Sequence, residues 1–268
     1  MSNKAPSFAG SEADLAAEFL RRLEAEWSRN RDKCPWTAYA ETSGWDILLM
    51  HDSGYQIGIE AKLTLNAKVI AQALNGQHPN EWDDIDGPDY RAVLVPQVGR
   101  QHHLTEICDA IGLSIITLLE QLPYHYHSIS LPVPGSTFSE RHWHNWCPVN
   151  RCEVPDYIPD VIAGHKSPVQ LTPWKIKAIK LMICLERKGW VDRSDMRAIK
   201  ISPSRWTDCY SGFLASNGNG QYVRCKATPD LRAQHPQNYA QIESDAAQWG
   251  KVFDPFGQVS PAWLVSKP

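Results

Sequence analysis

No apolar run in the chain approaches the ~18 residues that a membrane-spanning helix requires, and the opening "MSNKAPSFAGSEAD" lacks the charged-then-apolar pattern of a secretory signal. These absences exclude a bilayer span and lead to the expectation of a cytoplasmic protein with no membrane partner. A disulfide framework is missing as well. The seven cysteines are odd in number and widely scattered, which points to a reducing compartment. Extreme charge is also absent: charged residues make up 21% and the formal net charge is -3. Wholesale disorder is thereby excluded. With 268 residues the chain has room for two domains, each with its own core.

The small net charge conceals an asymmetry. Residues 1 to 164 carry 12 Lys/Arg against 22 Asp/Glu, a difference of -10, whereas residues 165 to 268 carry 15 against 8, a difference of +7. Such a division is expected where a part that holds nucleic acid is joined to a part with another task. The acidic front half supplies carboxylates for a metal site.

The segment "GWDILLMHDSGYQIGIEAKLTLNAKVIAQAL", residues 44 to 74, concentrates the chemistry. Trp45 to His51 and Tyr55 to Leu63 read as two strands around Asp52-Ser53-Gly54, a three-residue hairpin loop closed by a glycine suited to the left-handed position. Alternation puts Glu60 and Lys62 on one face. The loop pairs His51 with Tyr55, and counting back sets Asp46 opposite Glu60. Two opposed carboxylates are destabilising without a compensating cation. Lys62 supplies part of that charge, and a divalent cation would use both carboxylates as hard oxygen ligands.

Asp46, followed one strand later by Glu60-Ala61-Lys62, resembles the motif of the PD-(D/E)xK nuclease superfamily. Trp45 stands where that family has its proline, and Gly76 where some branches have a tyrosine four residues beyond the glutamine. The surrounding order also resembles the family core over about residues 11 to 118. Ser11 caps a helix with Leu15, Phe19, Leu23 and Trp27 on one stripe. Trp36 to Glu41 is a first strand, and the hairpin supplies the second and third. Asn66 caps a helix through Leu74; "YRAVLVP" at 90 to 96 is a buried strand; His102 to Ile111 is a helix ended by Gly112; "LSIITL" is a last strand. The resemblance implies an α/β fold with a restriction-endonuclease-like mixed sheet flanked by helices. It implies Mg²⁺ or Mn²⁺ held by Asp46 and Glu60, with Lys62 positioning the nucleophile or stabilising the transition state and Gln72 orienting the site. Glu41, Glu18 and Glu26 are candidates for an additional metal ligand.

The boundaries read from sequence are a nuclease-like domain at 1 to 120, a Pro/His/Trp-rich connector at 121 to 165, a smaller α+β domain at 166 to 226, and a tail at 227 to 268. In the connector, His142, His144, Cys147 and Cys152 are zinc-type ligands, but their spacing matches no common zinc module, and packed side chains are the default. Thr172 and Pro173 start a helix that Gly189 stops, with Ile176, Ile179, Met182, Ile183 and Leu185 as its core stripe. A short helix capped by Ser194, another starting at Ser202-Pro203, and a hairpin around Asn-Gly-Asn-Gly follow. Three helices and a hairpin in this order resemble a winged helix. That resemblance implies groove or phosphate contacts from Arg197, Lys200 and Arg205 and wing contacts from Arg224 and Lys226. Counting 12 Lys/Arg against 4 Asp/Glu over residues 165 to 226 favours nucleic acid.

The expected function is metal-dependent DNA endonuclease activity, with duplex DNA as partner and a homodimer or partner protein as a further option. Two other classes fit the same residues: a nuclease-derived regulator that binds DNA or protein without cutting, and an RNA-directed enzyme.

Overall fold

A computed structural model describes residues 8–29, 33–74, 86–98, 102–118, 131–134, 143–160, 170–208 and 210–251. The chain is an α/β protein with a five-stranded mixed sheet flanked by helices and a separate two-stranded sheet. Its contacts divide it into two compact units. The first is Met1–Val154 with Val161–Gln170, and the second is Pro155–Asp160 with Leu171–Pro268.

In the first unit, α1 (Glu12–Arg29) begins where Ser11 predicts it. The Ser11 hydroxyl accepts from Asp14 N at 3.2 Å and the Asp14 carboxylate accepts from Ser11 N at 2.7 Å, a reciprocal cap. β1 (Trp36–Thr42) and β2 (Trp45–His51) are joined by Ser43-Gly44, both at positive φ, the two-residue turn whose twist suits a hairpin. β3 (Gln56–Ala61) pairs with β2 in the predicted register, with Ile47 opposite Ile59 and Met50 opposite Gln56. The loop closes through His51 N to Tyr55 O at 2.8 Å and Gly54 N to His51 O at 2.7 Å.

Chain direction then changes from antiparallel to parallel. α2 (Ala67–Ala73), capped by the Asn66 side chain on Val69 N, leads to β4 (Tyr90–Val95), which lies parallel to β3. α3 (His102–Ala110) leads to β5 (Ser114–Thr117), parallel to β4. The sheet order is β1-β2-β3-β4-β5. Alternation along β4 shows the layering. Ala92 and Leu94 share a core with Leu15, Phe19 and Leu23 of α1, while Val93 and Val95 share the opposite one with Val69, Ile70 and Cys108.

β3 is shorter than the expected Tyr55–Leu63. The N–H of Ala61 donates to the Asp46 carboxylate at 2.8 Å, so antiparallel pairing to β2 stops there. Only Lys62 N, donating to Leu94 O at 2.9 Å, prolongs the parallel side.

Residues 143–154, part of the sequence-derived connector, are packed on the first unit. Asp89 is almost fully buried and accepts two bonds from the Arg151 guanidinium at 2.8 Å each. It also accepts from Gln56 N at 2.8 Å. The Gln56 side chain exchanges hydrogen bonds with the Cys152 backbone at 2.9 Å each.

The second unit is built on α4 (Pro173–Lys188), bounded by Thr172 as N-cap and Gly189 at φ 78 as predicted. The five stripe residues are buried, and so are Ala178, Leu181 and Cys184. α4 is covered on several sides because α5 (Arg193–Ala198), α7 (Leu231–Gln234) and α8 (Pro236–Ser244) all pack on it. The cap of α5 is Asp192 rather than Ser194. Asp192 accepts from Ser194 N and Asp195 N, and Asp195 answers on the Asp192 N–H. α6 (Ser204–Thr207) is one turn long. β6 (Leu214–Ser216) and β7 (Tyr222–Arg224) form the expected hairpin, and Val191 adds a bridge to Tyr222. Beyond residue 226, Leu231, Tyr239 and Ile242 join the same core, followed by α9 (Ala246–Lys251).

Candidate active site

Asp46 is the second residue of β2 and Glu60 the penultimate residue of β3, each next to the last paired residues, Ile47 and Ile59, and near enough for the charge of Asp46 to act on Glu60. Glu60 is 6% exposed. Burial, then the neighbouring charges of Asp46, Glu41 and Glu12, push its carboxyl up to about 8, with Lys62 pulling the other way. Asp46 is also raised by burial, against the Ala61 N–H and Lys62, which favour its anion. In both acids burial is the largest cause of the rise, and for Glu60 the neighbouring carboxylates add to it.

Lys62 lies one residue beyond β3. Its ammonium meets Glu12 Oε2 of α1 at 2.8 Å, with both groups partly buried. Burial alone lowers a lysine, but the Glu12 bond and the charges of Asp46, Glu12 and Glu60 outweigh it and hold the side chain as a cation. Glu12 is the acidic residue of α1 that sequence reasoning missed. Its only local signal is a place in the first helical turn, which helix-end electrostatics already explain.

Glu18 and Glu26, the acids considered on that helix, are engaged elsewhere. Glu18 binds Arg21 at 2.8 Å and Arg22 at 2.7 Å, which hold its carboxyl at about 2, and Glu26 faces Arg29 at 3.6 Å. Glu41 belongs with the cluster electrostatically, through its effect on Glu60. Its φ of 46 is left-handed within β1, and the β1–β2 pairing lies on either side of it, at Ala40/Ile47 and Thr42/Trp45. Gln72 lies on α2 with Oε1 buried and without a hydrogen-bond partner among the described residues. It makes no hydrogen bond to Asp46, Glu60 or Lys62.

The donor set suits a hard, hydrated dication. Among the described residues no three His, Cys, Asp or Glu side chains are grouped as a preformed metal cage. Mg²⁺ requires less from protein, since it usually keeps several waters and takes one or two carboxylates together with substrate phosphate oxygens. Asp46 and Glu60 supply that number.

The basic residues expected to contact nucleic acid divide into two sets. Arg197, Lys200 and Lys226 are exposed, with Arg197 Nε on the Arg193 carbonyl at 3.2 Å. Arg224 is tied to Glu186 at 2.7 Å, and Arg205 lies over the rings of Trp174 and Phe213, 5.6 Å from each centroid. Of the zinc-type residues, His142 lies outside the described residues. His144 packs on Gly112 and on Trp146, Cys147 is exposed, and Cys152 is partly buried beside Gln56.

No helix among the described residues is long and apolar enough to cross a membrane. No protein-family model, curated protein or solved structure matches the chain.

Proposed function

We propose that the first unit is a divalent-metal-dependent phosphodiesterase of the PD-(D/E)xK kind acting on DNA, and that the second unit holds the DNA in the manner of a winged helix. The observation that carries this reading is the meeting of Asp46, Glu60 and Lys62 at the open end of the β2–β3 hairpin, with more carboxylate than ammonium. The antiparallel β1–β3 meander followed by parallel β4 and β5 is consistent with that nuclease core. In the second unit the Val191 bridge to β7 supports the winged-helix reading, because it pairs one residue from between α4 and α5 with the hairpin. The single turn of α6 leaves phosphate contact by Arg197, Lys200 and Lys226 a better-supported role than deep groove insertion.

Asp46 and Glu60 would hold the ion. A bound Mg²⁺ or Mn²⁺ supplies Lewis acidity toward a phosphoryl oxygen and lowers the pKa of water. Lys62, kept cationic by Glu12, donates to a phosphoryl oxygen as negative charge builds there. Glu12 fixes the ammonium, and the Ala61 N–H fixes the orientation of Asp46.

The test is cleavage of supercoiled plasmid by the full chain with Mg²⁺ or Mn²⁺, beside EDTA, Asp46→Ala and Lys62→Ala. Nicking should fall in both variants by roughly a hundredfold or more, with DNA affinity of Lys62→Ala nearly unchanged. Folded protein that binds DNA and never cuts it, whatever the metal, would sink the catalytic reading and favour the non-cutting regulator.

A further inference from the structure

The second unit carries an aromatic and cationic surface that the proposed hydrolysis does not use. Tyr210 is 97% exposed. A lone exposed aromatic is ordinary, but this one is held out by a built turn. The Asp208 carboxylate accepts from Tyr210 N at 2.9 Å, Ser211 N at 2.8 Å and the Ser211 hydroxyl at 3.0 Å. Gly212 N closes the turn on Asp208 O at 3.0 Å, and a side chain on Gly212 would collide with the Asp208 backbone.

The residues flanking the turn continue the surface. Phe213 follows it and packs edge-on against Trp206 at 5.2 Å, and Trp206 stacks on Trp174 at 5.8 Å. Arg205 spans Trp174 and Phe213 from outside, and Trp174 is itself 37% exposed. The charge of the unit fits a polyanion. Residues 171 to 251 hold 13 Lys/Arg against 7 Asp/Glu. The acids are largely engaged: Glu186, Glu243 and Asp195 in ion pairs, and Asp192, Asp208 and Asp230 in caps or this turn.

Exposed and partly buried aromatic rings with a guanidinium over two of them, in a unit with surplus positive charge, make the kind of surface on which unpaired bases stack, because every base has a π-face and the backbone beside it needs a cation. We propose that Tyr210 is a stacking platform for an unpaired DNA base, with Arg205 and Trp174 of the same unit engaging phosphate and sugar of that strand. The proposal rests on the reading that the second unit holds DNA, and it adds a preference for sites where a strand is unpaired.

The test is fluorescence anisotropy of a short labelled mixed-sequence oligonucleotide, single-stranded and annealed to its complement, with the full chain. Tyr210→Ala should weaken single-strand binding by roughly tenfold and leave duplex binding unchanged, and Tyr210→Phe should restore the single-strand affinity. Unchanged single-strand binding by Tyr210→Ala, or an equal loss on both probes, overturns the platform. Wild-type binding to duplex alone overturns the platform and spares the DNA-holding reading. Wild-type binding to neither removes both.

Discussion

Glu60 shows how far a single residue can be driven by its surroundings. Its carboxyl stands at about 8 in the folded chain against an ordinary 4.5, so the folded state takes up a proton that the unfolded state has released. Stability from this group is therefore complete below the ordinary value and is lost as pH rises through the folded one. In urea titrations of the full chain, Glu60→Gln should remove a pH dependence on the order of 2–3 kcal/mol between about pH 5 and pH 8. Parallel slopes for variant and wild type would show that Glu60 is ionised throughout. The comparison has to be with the variant, since burial lowers His235 in the second unit and acts in the opposite direction over the same range. Asp46, Glu60 and Lys62 were legible in the sequence because strand period and loop length fix their neighbours locally. Glu12 was not, because it lies 50 residues from the lysine it binds and only the docking of α1 brings them together.

At the scale of elements, capping residues and turn glycines set most boundaries correctly, and the departures have local causes. β3 stops early because the Asp46 side chain takes the Ala61 N–H that a ladder would have used. α5 is capped by Asp192 because the Asp192/Asp195 pair makes the reciprocal bonds that Ser194 cannot. Gly58 illustrates what a sequence pattern cannot express. It reads as one more residue on the polar side of β3, yet the Trp45 ring occupies the space its side chain would need. Gly58→Ala should destabilise the first unit by about 1–3 kcal/mol through overpacking. It should also reduce cleavage more than that loss explains, because the displaced Trp45 adjoins Asp46. Denaturation midpoints beside turnover at a temperature where both proteins are folded give the two numbers. Full activity in a destabilised variant would separate the ring from the site.

For the molecule as a whole, contacts divide the chain into two compact units with separate cores. One is built on α4, and the other is divided over both faces of the five-stranded sheet. Composition did not reveal that residues 143–154 pack on the first unit or that α7 and α8 complete the second. Those contacts depend on side chains such as Asp89 and Tyr239, whose partners are remote in sequence. With separate cores, thermal unfolding need not be a single transition. On the proposed function, Mg²⁺ should raise only the transition of the first unit, by about 2.7 kcal/mol at a hundred times its dissociation constant. Calorimetry of the full chain with and without the ion measures this, and an equal shift in both transitions would count against a site confined to Asp46 and Glu60.

The turn at Asp52-Ser53-Gly54 makes the acid pair a matter of counting. Asp46 and Glu60 come together because the residues between them fold back in one register, paired from Met50/Gln56 to Ile47/Ile59. A single insertion or deletion within that stretch would leave a hairpin able to form but turn one carboxylate to the other side of the sheet. The segment can therefore drift in the identity of its residues far more freely than in their number.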